Sequence, residues 1–278
     1  MARAFLERKG VDESRLEAEL LCAHALGIDR LGLFMRLEQP IEANEVDVAR
    51  DLLVRRGRRE PVAYITGKRE FYGRDFAVAP GVLIPRPDTE LLVDVARERL
   101  KGRDAPLVAE FGCGSGCISI TIALEVPAAR VITCDLSTSA VSQTQANAER
   151  LGAELEAIVG DGLDVLAARL EQETDGLDLF VANPPYVDPT SRATLEPEVR
   201  DYEPELALFA PEGDTEHWVR RLCEAAANWL APGGVLLVEL GMGQGEAARR
   251  IALSAGLEPQ LHQDLARIDR VLEARRPA

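Results

Sequence analysis

The chain predicts a doubly wound, mostly parallel α/β sheet with a small helical domain ahead of it. Three observations carry that expectation. From residue 106 onward, apolar strand-like runs alternate with amphipathic helical stretches, the pattern of a sheet covered by helices on both faces. The first of these strands, "PLVAEF", runs directly into Gly112-Cys113-Gly114-Ser115-Gly116 and then into a helix, a strand-to-helix turn that lets backbone pass close to a ligand. Residues 1–60 show helical periodicity and no strand signal.

In chain order, "VDESRLEAELLCAHALG" places Leu16, Leu20 and Ala23 on one helical stripe, with Gly27 at a C-terminal cap. "RLGLFMRLEQP" reads as a short second helix halted before Pro40, and "ANEVDVARDLLVRRGRR" sets Val46 and Leu53 on another apolar face. The basic run Arg55, Arg56, Arg58 and Arg59 reads as a solvated helix end that favours the C-terminal dipole; the competing reading is a docking patch for an acidic or RNA-containing partner. Residues 61–85, rich in β-branched and aromatic residues and punctuated by glycines, read as a hairpin-like linker. In "PRPDTELLVDVARERL", Pro85 and Pro87 hold the backbone extended, and Asp88 and Glu90 suit the first turn of a helix. Residues 86–278 then supply seven strands. They are "PLVAEF", "ARVITCDL", "LEAIVGD", "LDLFVAN", "GGVLLVEL", "EPQLHQD" and "RVLEARR", with helices at Ser115 to Glu125, "STSAVSQTQANAERLG", "TEHWVRRLCEAAANWL" and "QGEAARRIALSAG".

Composition narrows the function. The chain has 278 residues, 46% hydrophobic and 28% charged, as in ordinary globular proteins. Its formal net charge of −15 repels phosphate backbones and disfavours a general nucleic-acid binder. Cys22, Cys113, Cys117, Cys134 and Cys223 are odd in number and sit mostly in apolar or small-residue runs, as expected of reduced thiols in the cytoplasm. Cys113 and Cys117 lack a second pair with ligand spacing, so no metal is expected. No apolar run approaches the ~20 residues of a membrane span, and no secretory signal is evident at the N-terminus.

Ligands of doubly wound sheets sit beyond the carboxyl ends of the strands, and the distinctive residues fall there. The glycine spacing is G-x-G-x-G, a poor match to the G-x-G-x-x-G of dinucleotide sites. Glu110 precedes it where a phosphate would want a basic residue, and no lysine accompanies it, so a nucleoside triphosphate is not expected. An acid there suits a cationic or hydroxyl-rich ligand. Asp135, ending the second strand, is placed to accept from ribose hydroxyls, and Asp161, after the third strand, from an adenine amino group.

The fourth strand ends in Asn183-Pro184-Pro185-Tyr186. A planar amide or aromatic amine needs two acceptors for its two N–H groups. The side-chain oxygen of Asn183 supplies one and the carbonyl of Pro184 the other, the prolines fixing the backbone and Tyr186 covering the flat face. His24, His217 and His262 lie outside these motifs and are expected to be structural or exposed.

The glycine loop with Asn-Pro-Pro-Tyr resembles the adenosylmethionine-dependent N-methyltransferases. "EPVAYITGKREFYGRDFAVAPGVLIPRPDTELLV", "VRDYEPELALF" and "DLARIDRV" are similar, over nearly the whole chain, to the release-factor glutamine N5-methyltransferases. The resemblance implies a class I, Rossmann-like methyltransferase fold and S-adenosyl-L-methionine as donor. The implied substrate is the glutamine of the Gly-Gly-Gln loop of class 1 peptide chain release factors. It implies that Gly112, Gly114 and Gly116 line the cofactor, with Glu110, Cys113, Ser115, Asp161, Gly162 and Asn183 about it, and that Asp135 holds the ribose. Asn183, Pro184 and Tyr186, with Pro185 between them, would grip the glutamine amide. Residues 1–60 would be a substrate-recognition domain and residues 86–278 the catalytic domain of a cytoplasmic monomer. There is one departure. The family often has an aromatic residue directly after the acid of the third strand, near the adenine, and here that position is Gly162. Either donor affinity falls or another side chain fills the space. The competing readings are a nucleic-acid amine methyltransferase, a nucleoside-binding module without chemistry, and a nicotinamide oxidoreductase.

Overall fold

The computed structural model describes residues 1–36 and 38–278. The chain opens with helices α1 (Ala2–Arg8), α2 (Ser14–Ala25), α3 (Arg30–Met35), α4 (Ala43–Gly57) and α5 (Val62–Thr66). A hairpin of β1 (Lys68–Phe71) and β2 (Arg74–Ala77) follows, then α6 (Glu90–Leu100) and β3 (Leu107–Phe111). Next come α7 (Cys117–Glu125), β4 (Arg130–Asp135), α8 (Thr138–Leu151), β5 (Glu156–Val159), α9 (Gly162–Leu170) and β6 (Leu177–Ala182). The short helices α10 (Pro197–Tyr202) and α11 (Glu205–Leu208) lead to α12 (His217–Trp229), β7 (Leu230–Glu239), α13 (Gly245–Ser254), β8 (Glu258–Gln263) and β9 (Asp269–Arg275).

The chain forms two compact units, Met1–Lys68 with Leu195–Tyr202, and Arg69–Thr194 with Glu203–Ala278. In the first, Leu6, Val11 and Ala18 pack with Phe5 and Leu53. Gly27, at φ +64°, ends α2, and the Ile28 N–H turns back to the Ala23 carbonyl, the cap its sequence announces. The buried face of α2 is Ser14, Ala18, Leu21 and Ala23, while Leu20 is exposed. Of the stripe read from the sequence only Ala23 is buried, and Leu21 with the small Ser14 and Ala18 seats the helix. The second helical stretch is α3, capped by the Asp29 carboxylate accepting from Gly32 N–H at 2.6 Å; Leu37 in that stretch lies outside the described residues. The expected linker 61–85 is divided. Val62–Thr66 forms a helix started at Pro61 and closed by Gly67 at φ +73°, with Ala63, Tyr64 and Ile65 buried, and the hairpin begins at Lys68.

The basic run departs most from its sequence reading. Arg56 is 3% exposed and donates to Glu17 at 2.6 Å and to Glu198 at 2.5 Å. Arg55 pairs with Glu60, Arg59 with Glu198, and the Arg58 carbonyl accepts from the Tyr202 hydroxyl at 2.7 Å. The run is an ion-pair hub that holds the returning segment Leu195–Tyr202, not a solvated helix end. Its acid, Glu198, lies 142 residues away, where no local pattern reveals it.

The second unit holds the seven-stranded sheet in the order β5-β4-β3-β6-β7-β9-β8. All pairings are parallel except those of β9, which runs antiparallel to both β7 and β8. Alternation along the strands serves two cores. One face carries Phe180, Leu222, Leu236 and Ala252, the other Leu92, Ile120, Val181 and Leu237. The expected helix from Ser115 starts at Cys117, and α9, α10 and α11 occupy stretches where the sequence reading assigned none. β4 lies on one side of β3 and β6 on the other, with Phe111 opposite Ala182 at the ends. The order therefore reverses at the point where the glycine loop and Asn183 emerge, the place where such sheets open a crevice.

Candidate active site

The glycine loop is held from below. The N–H groups of Gly112 and Cys113 both donate to the Cys134 carbonyl, at 3.0 and 2.9 Å. Gly114 N–H donates to Asp135 Oδ2 at 3.0 Å and Ser137 N–H to Asp135 Oδ1 at 2.9 Å. Asp135 is thus fixed by two backbone donors and lines the cavity. Gly116 has a packing reason to be glycine. A Cβ there would meet Ile120 at 2.6 Å and Thr144 at 2.9 Å, and its φ is +80°.

Of the residues read from the sequence, Gly112, Gly114, Asp135, Asp161, Gly162, Asn183 and Pro185 line one cavity at the carboxyl ends of the strands. Glu110, Cys113, Ser115 and Gly116 do not line it. Glu110 is 0% exposed beneath the loop, accepting from the Thr133 hydroxyl at 2.7 Å. Burial pushes its carboxyl up to about 8, against the hydrogen bonds of Ser119 and Thr133. Cys113 is buried against Ala140 and Val141. In a strand, alternate side chains face opposite sides, so Glu110 points away from the face that carries Phe111.

Phe111 answers the departure at Gly162. Its ring lies in the cavity wall with Trp218, centroids 4.9 Å apart. A Cβ on Gly162 would come within 2.4 Å of Phe111 Cε2, and the Gly162 φ is +29°. The aromatic wall is therefore present, contributed by the end of β3 and by α12, and glycine at 162 makes room for it. Its sequence signal was the aromatic residue immediately before Gly112.

At the end of β6, Asn183 Nδ2 donates to Thr89 Oγ1 at 3.3 Å, and Thr89 Oγ1 donates to Glu239 Oε2 at 2.6 Å. The Tyr186 hydroxyl reaches Glu239 Oε1 at 3.4 Å. Tyr186 does not line the cavity; its ring packs on Gly241, where a Cβ would lie 3.0 Å away. Burial, then the neighbouring Glu239, raises the pKa of its hydroxyl. Burial likewise pushes the Glu239 carboxyl up to about 7. Close by, Glu203 accepts from Ile84 N–H at 3.1 Å and from Arg86 at 2.5 Å, which ties "LIPRP" to "YEPEL". Thr89 and Glu239 escaped the sequence reading. Thr89 sits inside "IPRPDTE", and Glu239 is an acid closing an apolar strand, as Asp135 is.

Residues 1–67 match the family described as PrmC N-terminal domain, and residues 87–196 match the methyltransferase small domain. The chain is 40% identical over 274 residues to the release factor glutamine methyltransferase of Geobacter sulfurreducens, covering 98% of this chain and 93% of that one. The chain belongs to the release factor glutamine methyltransferases. Its likeness to the Bordetella pertussis member is 42% over 258 residues, or 92% and 93% of the two chains. Among solved structures, the 16S rRNA N2 G1207 methyltransferase of T. thermophilus, in complex with AdoMet and guanosine, matches 75% of this chain and 49% of its own. That match has a TM-score of 0.52 at 20% identity and speaks for the shared fold. The cavity fits the donor that release factor glutamine methyltransferases use, S-adenosylmethionine. Two acids suit hydroxyl and amino groups, an aromatic pair suits a base, and no lysine, arginine or histidine lines the wall to favour a phosphate.

Proposed function

We propose that this chain transfers a methyl group from S-adenosylmethionine to the side-chain amide nitrogen of a release-factor glutamine, in the Gly-Gly-Gln loop of class 1 factors. One observation carries the reading: Asn183-Pro184-Pro185 emerges at the topological switch point, with Asn183 and Pro185 lining the same cavity as Asp135 and Gly114. The sulfonium donor, when bound, supplies an electrophilic methyl group. Asp135 orients the donor by its ribose hydroxyls, Asp161 meets the amino group of the base, and Phe111 and Trp218 flank the base.

The chain's remaining task is to present a poor nucleophile. An amide nitrogen has a delocalised lone pair. Asn183 Oδ1 accepts one N–H of the glutamine and the Pro184 carbonyl the other, which turns the nitrogen toward the methyl. Positioning of this kind carries most of the rate enhancement. As the new C–N bond forms, the donor's S–C bond would break and leave a neutral thioether, and the protonated N-methyl amide, a strong acid, would give its extra proton to solvent. No side chain is needed as a general base.

A nucleic-acid amine methyltransferase would use the same clamp. The net charge of −15 and a cavity without basic side chains favour the protein substrate. The first unit is assigned the body of the release factor, since one loop offers little surface for recognition. The enzyme is read as a cytoplasmic monomer. The five free cysteines support that compartment, and no helix among the described residues is long and apolar enough to cross a membrane. Incubation with methyl-labelled donor and, separately, a class 1 release factor, total RNA and DNA tests the reading. Label is expected in the release factor alone. Label confined to RNA or DNA overturns it, and label nowhere favours a binding module.

A further inference from the structure

We propose that Thr89 and Glu239 are positioning residues that fix which end of the Asn183 amide faces the substrate. The inference rests on the reading of Asn183 as an acceptor for the glutamine N–H.

An asparagine amide presents an acceptor at one end and a donor at the other, and rotation by half a turn exchanges them. Only the acceptor end can grip an N–H of the substrate. The choice follows from counting donors along the buried chain behind Asn183. Glu239, as a carboxylate, only accepts. Thr89 is 2% exposed and lies 2.6 Å from Glu239 Oε2, so its single hydroxyl proton is committed there. The Thr89 oxygen can then only accept from its other neighbour, Asn183 at 3.3 Å. That neighbour must present its NH2 group, and Oδ1 is left for the cavity. The polarity of the whole chain is thus set by one carboxylate, 3% exposed, at the far end. Tyr186 donates to the second oxygen of the same carboxylate, so both ends of the Asn-Pro-Pro-Tyr motif refer to Glu239.

The charge on Glu239 decides whether the polarity holds. Besides Tyr186 and Thr89, the groups that act on it are Asp88, which opposes ionisation, and Arg270, which favours it. The Cys117 thiol, itself pushed up to about 12 by burial, feels the same carboxylate. Arg270 is shared with Asp264 at 2.9 Å and Asp88 at 3.2 Å, so its charge is not given to Glu239 alone. Burial has raised this group to about 7, so the ordering carboxylate is present above that pH and is lost as pH falls through it. Once protonated, the carboxyl can donate to Thr89 as well as accept, and the direction of the chain is no longer dictated.

Single-turnover methylation of a release factor, donor and factor saturating, tests this at pH values on both sides of 7. The parent rate is expected to fall as pH drops through about 7. Thr89→Val keeps the shape and removes the hydroxyl; its rate should fall roughly ten- to hundredfold, the cost of a buried partner left unsatisfied. Donor affinity by calorimetry should be unchanged. Thr89→Ser restores the hydroxyl and should recover most of the rate. Glu239→Gln keeps hydrogen-bonding capacity and volume but cannot ionise, so its profile should lose the fall near 7 even where Thr89→Val proves too unstable to assay. An active parent whose Thr89→Val variant folds and turns over as fast overturns the inference. So does a Glu239→Gln variant that retains the parent's pH profile. A parent that labels no release factor at all overturns the underlying reading instead.

Discussion

Asn183 is where the chemistry can be tested most sharply. Removing a preorganised hydrogen-bonding group at a reacting centre costs about 10²–10³ in rate. Asn183→Ala should show a loss of that size in single-turnover methylation of the release factor, with donor affinity falling less. A rate within about threefold of the parent, under ~0.7 kcal/mol of barrier, would sink the amide clamp. Phe111 and Gly162 make a second test, because they share one volume. A side chain at 162 starts 2.4 Å from the Phe111 ring, so Gly162→Trp alone should lower both stability and donor affinity. Phe111→Leu alone should weaken donor binding by removing aromatic contact. The double variant moves the aromatic residue to the other element and should recover affinity. Calorimetric affinities that simply add across the two sites would show that Phe111 and Gly162 do not exchange places.

Elements differ in how far their sequence betrays them. The strands of the second unit were legible because each is a short apolar run ended by glycine, acid or proline, and the parallel sheet follows from their alternation with helices. That Gly112, Gly114, Asp135, Asp161 and Asn183 would share one cavity was legible because they close strands. The burial of Glu110 was not legible, because a linear motif does not reveal which face of a strand a residue takes. Thr89 and Glu239 are 150 residues apart, and Arg56 and Glu198 are 142 apart. Such pairs exist only once the fold has brought them together. The helix α4 illustrates the consequence. Its one buried residue is an arginine, facing Glu17 and Glu198. Arg56→Met would fill the volume but leave Glu17 without its partner and Glu198, on the returning segment, with Arg59 alone. Breaking a buried pair from one side costs roughly 3–5 kcal/mol. Chemical denaturation should show a loss of that order, and a loss below about 1 kcal/mol, the range of exposed pairs, would mean the hub adds little.

For the molecule as a whole, the question is why a chain whose candidate site is a small cavity carries a helical unit at all. Recognition of a large protein is the proposed answer, and the first unit has surface to spare for it. Leu31 and Met35 on α3 are 68% and 79% exposed, and α3 buries none of its residues. Removing residues 1–60 would be a poor test, because Arg56, Arg59 and the Arg58 carbonyl hold Glu198 and Tyr202, which would be left unpaired. Substituting exposed side chains avoids that fault, since such changes usually move stability by no more than about 0.5 kcal/mol. Leu31→Asp with Met35→Asp places two charges where an apolar contact with the factor is proposed. The Michaelis constant for an intact release factor should rise, with kcat little changed. A short peptide carrying only the Gly-Gly-Gln loop should be methylated as well by the variant as by the parent, because it lacks the body of the factor that is proposed to meet α3. Equal changes for factor and peptide, or no change for either, would remove α3 from the recognition surface.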